Sequence, residues 1–135
     1  MKFKTLVLIS ILGSSSMLFA SSTNSAEKIF NTKCMMCHVK TKPQDKSSLV
    51  APPIMGVLYH VKKEYSNKKD AVNFIVDYVR EPSKSKALCM PQKIKHFGLM
   101  PSQKANISKE DLQKVASWLY DTYPPANFKH KGMRH

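Results

Sequence analysis

Two cysteines three apart with a histidine directly after the second, Cys34-Met35-Met36-Cys37-His38, constrain this chain more than any other feature. Thiols at that spacing lie about one helical turn apart and can reach the same object. A disulfide framework fits poorly, because the chain holds three cysteines and Cys89 would be left over. A redox-active dithiol would open a helix after a strand, and no strand pattern precedes residue 34. Zinc could be held by Cys34, Cys37 and Cys89 with His96 or His38, since three thiolates and one imidazole make a tetrahedral set. That set leaves the rest of the sequence without an explanation.

Cys-x-x-Cys-His is also the attachment signature of c-type haem. Both sulfurs add across the vinyl groups of one porphyrin edge, and the adjacent histidine then lies under the iron. His38 can ligate through one ring nitrogen, so its other N–H should donate to a carbonyl that fixes the ring.

The 135 residues, 42% of them hydrophobic, suit one globular domain. Residues 1–20 read as an export signal: Lys2 and Lys4, an apolar run from Leu6 to Leu12, and a processing site at Leu18-Phe19-Ala20. Ala-Ser-Ser at 20–22 is an equally acceptable cut. Gly13-Ser14-Ser15-Ser16 stops the apolar run well short of the ~20 residues a spanning helix needs. Removal of the signal takes two of 22 basic residues and none of nine acidic ones, which leaves a net charge of +11. Export makes nucleic acid the least expected partner of so basic a protein, and favours acidic proteins or an anionic membrane surface.

Helical periodicity marks three segments, and the fold class is all-α. The first covers about Ser25 to Cys37, with Ala26, Ile29, Phe30 and Cys34 on one stripe. The second starts at Ser66 or Asn67 and carries Ala71, Phe74, Ile75, Tyr78 and Val79 before Pro82 ends it. The third starts at Ser108, whose spacing to Asp111 resembles a capping box, and runs through Leu112, Val115, Ala116 and Leu119 to Pro124-Pro125. The connections 39–65 and 81–107 are long for a three-helix bundle, which buries little on its own, so a large apolar group is expected between them. The domain spans 21–125, and 126–135 forms a flexible basic tail.

Three segments together resemble class I, monohaem cytochromes c of the bacterial periplasmic type, over about Ala26 to Pro124. "AEKIFNTKCMMCH" resembles the N-terminal helix of that family, with Ala26 where glycine is usual. "VASWLY", 115–120, resembles the C-terminal helix, whose aromatic residue, here Trp118, would cross Ala26 and pack near Phe30. "APPIMG", 51–56, resembles the loop whose proline, here Pro52, offers its carbonyl to the ligand histidine; Ala51 again replaces a glycine.

The resemblance implies a cytochrome c fold, with three main helices and long loops wrapped around one covalently bound haem. Cys34 and Cys37 would carry the thioethers and His38 the proximal iron bond. "FGLMPS", 97–102, resembles the segment that delivers the distal ligand, which implies Met100, with Met90 as the alternative and His96 or Cys89 as further competitors. Cys89 reads equally as a small buried hydrophobe. Phe30, Ile54, Phe74, Phe97 and Trp118 would keep water from the group.

With both axial positions filled, the implied role is a periplasmic electron carrier, not an enzyme, of relatively high reduction potential, in a respiratory chain of a Gram-negative bacterium. The alternative is a haem-bearing subunit or domain of a periplasmic redox enzyme complex. Between Glu81 and Glu110 the only charged residues are basic: Lys84, Lys86, Lys93, Lys95, Lys104 and Lys109. They suggest a positive face for acidic redox partners around a monomer, without nucleic acid or membrane span.

Overall fold

Asn67 and Ser108 start two helices by the same device. Each side chain accepts a hydrogen bond from the backbone N–H three residues on, Asn67 from Asp70 at 2.9 Å and Ser108 from Asp111 at 3.1 Å. Each thereby satisfies a donor that the helix leaves open. The structure is a computed structural model describing residues 19–41 and 43–130, with side chains from residue 25 onward. Among the described residues all regular structure is helical: α1 Phe19–Lys33, α2 Ile54–Glu64, α3 Lys68–Arg80, α4 Pro91–Phe97 and α5 Lys109–Thr122.

The all-α expectation holds, and the three periodic segments correspond to α1, α3 and α5. Three helices are nevertheless too few. Two more lie in the stretches the periodicity leaves as connections. In α2, Ile54, Leu58 and Val61 are buried along one stripe, and Pro53, with φ −56°, leads the chain into the first turn. α4 has Pro91 in its first turn, buries no residue and ends at Gly98, whose φ is +78°. α1 also differs, since regular helix stops at Lys33 rather than Cys37. The expected signal segment falls on residues outside those described, except Phe19 and Ala20, which begin α1.

α5 is the organising element. Its buried Leu112, Val115, Ala116, Trp118 and Leu119 lie on the helix that packs against both α1 and α3. From α1 it meets the buried Ala26 and Phe30, and from α3 the buried Ala71, Ile75 and Val76. Full burial of side chains such as Phe30 and Leu112 is worth about 1.5–3 kcal/mol each. Phe30 and Trp118 sit with ring centroids 5.6 Å apart, tilted at 49°, and Ala26 is 2% exposed. Among the described residues no helix is long and apolar enough to cross a membrane.

The chain between α4 and α5 is strapped to the end of α3. Gln103 N donates to Val79 O at 3.0 Å, Ser102 Oγ donates to Arg80 O at 2.5 Å, and Ile107 is buried in the core. The residues just after Met100 are thereby fixed to a packed helix.

Candidate functional site

The quintet continues α1 as a tightened turn. The Phe30 carbonyl accepts from both Cys34 N, at 2.9 Å, and Met35 N, at 3.0 Å. The second of these is a 6→1 bond of the kind that satisfies carbonyls left open at a helix C-terminus. Cys34 O then takes Cys37 N at 3.1 Å and His38 N at 2.9 Å. Cys34 and Cys37 are both free thiols, Cys34 half-buried and Cys37 exposed. Burial first, and the neighbouring Cys37 second, push the Cys34 thiol up to about 11.

His38 lies half-buried against the start of α2. Its Nδ1 is 2.8 Å from Pro52 O. A carbonyl can only accept, so Nδ1 carries the hydrogen, and in the neutral ring Nε2 keeps a free lone pair. Burial holds this imidazole below the ordinary histidine range, against the opposing pull of the Pro52 hydrogen bond. The ring is therefore neutral at pH 7, the form that can bind a metal. A second bond, Ile54 N to Val39 O at 3.0 Å, joins the same two strands of chain.

Lys40, just beyond, pairs with Glu27 at 2.6 Å and lies 5.8 Å from the centroid of the Trp118 ring. That contact ties the quintet's exit back to α1 and α5. Sequence reasoning missed both the Val39–Ile54 bond and the Lys40–Glu27 pair. Neither carries a sequence signal, because each joins residues brought together only by the turn.

The methionines flank α4. Met90 is its N-cap residue, and Met100 is half-buried in the extended segment after Gly98. His96 is exposed, with its ring 4.5 Å from that of Phe97. Cys89 is half-buried and, with Ala87, Ile94 and Leu99, borders a cavity of about 710 Å³. Among the described residues no three Cys, His, Asp or Glu side chains converge as a metal site would require. The zinc set of Cys34, Cys37, Cys89 and a histidine is therefore not assembled among the described residues. The remaining shell candidates divide, with Phe30, Ile54 and Trp118 buried and Phe74 and Phe97 only half-buried.

The basic window is less uniformly positive than its composition. Lys86 pairs with Asp77 at 2.8 Å and Lys104 with Glu81 at 3.2 Å. Among the described residues Lys84, Lys93, Lys95 and Lys109 make no ion pair, and Lys93 sits 5.7 Å from the Phe97 ring centroid.

The chain is 32% identical over 122 residues to an uncharacterized protein of Aquifex aeolicus (strain VF5), a match that covers 78% of this chain and 80% of that protein. No protein-family model matches the chain. No solved structure matches it.

Proposed function

Since the chain belongs to one family with the uncharacterized protein of Aquifex aeolicus, we propose a reading that rests on its own residues: a class I c-type cytochrome that carries single electrons in the periplasm. The observation that carries it is the His38 Nδ1–Pro52 O contact of 2.8 Å beside two free thiols one tight turn apart. Two alkylatable sulfurs, one oriented neutral imidazole and a methionine on a tethered segment form the donor set that a c-type haem requires.

When bound, the haem supplies a one-electron iron couple. Cys34 and Cys37 would hold it through thioethers, and His38 Nε2 would bind the iron. Met100 would supply a second iron ligand, with Met90 as the alternative. Pro52 fixes the imidazole's tautomer and orientation, which raises its basicity as a ligand. The buried Phe30 and Trp118 would exclude water from the side where α1 meets α5, and Ile54 from the start of α2. α4, which buries nothing and borders the cavity beside Cys89, is the element whose packing a large apolar group would complete. Lys84 and Lys95, which border that cavity, and Lys93 on α4 would steer acidic redox proteins toward that face.

The test is pigment that survives denaturation. After export with a haem-maturation system, the chain should run on a denaturing gel with haem attached, and Cys34→Ser with Cys37→Ser should abolish it. In the oxidised protein Met100→Ala should remove the methionine-to-iron charge-transfer band while Met90→Ala keeps it. A colourless chain with both thiols still reactive would falsify the reading.

A further inference from the structure

Outside the quintet, and among the described residues, a cluster of titratable rings joins α2 to the C-terminal segment. His130 stacks on Tyr59 at 4.5 Å with the planes 5° apart. The His60 ring meets His130 edge-on at 4.9 Å, and Phe128 closes on Tyr59 at 6.2 Å. A turn bond, Phe128 N to Pro125 O at 2.9 Å, folds the segment back after α5. Among the described residues no ion pair joins residues 126–130 to α2. Ring contacts are what hold this segment, which the composition alone marks as a free tail.

We infer that these four rings form an acid-released latch, which keeps the C-terminal segment on α2 while His60 and His130 are neutral and lets it go once both are protonated. One proton is tolerable, because a charged His130 still lies over the face of Tyr59, a favourable cation–π arrangement. A second proton, on His60, sets two cations edge-on at 4.9 Å. Burial first, then His130 from the tail and Lys63 from its own helix, oppose the protonation of His60. Two charged rings at that separation repel each other, and the detached chain has no such repulsion. Release frees a segment that carries Lys129. This latch does not depend on the haem reading.

Proton NMR of the purified full chain tests it. Between about pH 7 and pH 5, the range in which histidines change charge, the Tyr59–His130 cross-relaxation should vanish while that between Phe30 and Trp118 persists. His130→Phe, which leaves the core untouched, should keep Phe128 against Tyr59 through the same range, and His60→Phe should do likewise. Tyr59–His130 cross-relaxation unchanged at pH 5, or a tail that detaches from both variants at the same pH as from the parent, would overturn the latch.

Discussion

Cys34 and Cys37 are the same residue type three positions apart, yet their surroundings make them chemically unequal. With its thiol pushed up to about 11, Cys34 is thiolate in only about one molecule in a thousand at pH 8. In a chain whose thiols are still free, a maleimide at pH 8 should label the exposed Cys37 well before Cys34, as followed by peptide mass spectrometry. The raised position means that Cys34 labelling accelerates as pH climbs toward 11. Equal rates at pH 8 would show that Cys34 is not desolvated. Gly98 is a second residue whose surroundings are decisive. Its φ of +78° with ψ 178° belongs to a region nearly restricted to glycine, yet an added Cβ would meet nothing within 4 Å. Gly98→Ala should therefore cost about 1–3 kcal/mol from backbone strain alone, read as a lower urea midpoint. An unchanged midpoint would mean that the turn relaxes without cost.

Legibility varied by element for physical reasons. α3 and α5 could be read because each has a polar cap and a long apolar stripe, and Asn67 and Ser108 do cap them. The shorter stripe of α2, Ile54, Leu58 and Val61, was present in the sequence, but Pro52-Pro53 directs attention to a loop. Pro53 instead occupies the helix entry, where a missing N–H costs nothing. α4 had no apolar stripe to find, because it buries no residue; Pro91 was its only marker. Pro52 as the acceptor for His38 could be expected from the resemblance of one short motif, whereas the lateral ties through Val39 and Lys40 could not. α2 also allows a clean test of helix propensity. Gly56 lies inside it, with space for a Cβ, so Gly56→Ala should stabilise the chain by about 0.5–1 kcal/mol. A loss of stability in the same urea titration would show that the position serves something other than the helix.

Across the whole molecule, the excess of lysine could be read from composition, but its effective distribution could not. Asp77 and Glu81 project from α3 and its C-cap and neutralise Lys86 and Lys104, which concentrates unpaired charge on Lys84, Lys93, Lys95 and Lys109. Exposed pairs of this kind add little stability, so their effect is on where the field is strongest. Replacing Lys84, Lys93 and Lys95 together by glutamine should slow association with an acidic redox protein roughly tenfold at low ionic strength. In stopped-flow measurements the difference should close near 1 M salt, where screening extends only about 3 Å. A variant that is slow at every salt concentration would locate the defect in contact rather than steering. The bonds from His38 to Pro52 and from Ile54 to Val39 pinch the chain at both ends of the stretch between residues 39 and 53. Its interior is thus mechanically insulated from the imidazole, and closure cost grows only slowly with length. The middle of this stretch should therefore tolerate replacement, shortening or a grafted foreign peptide, while the neck holds the ring in register.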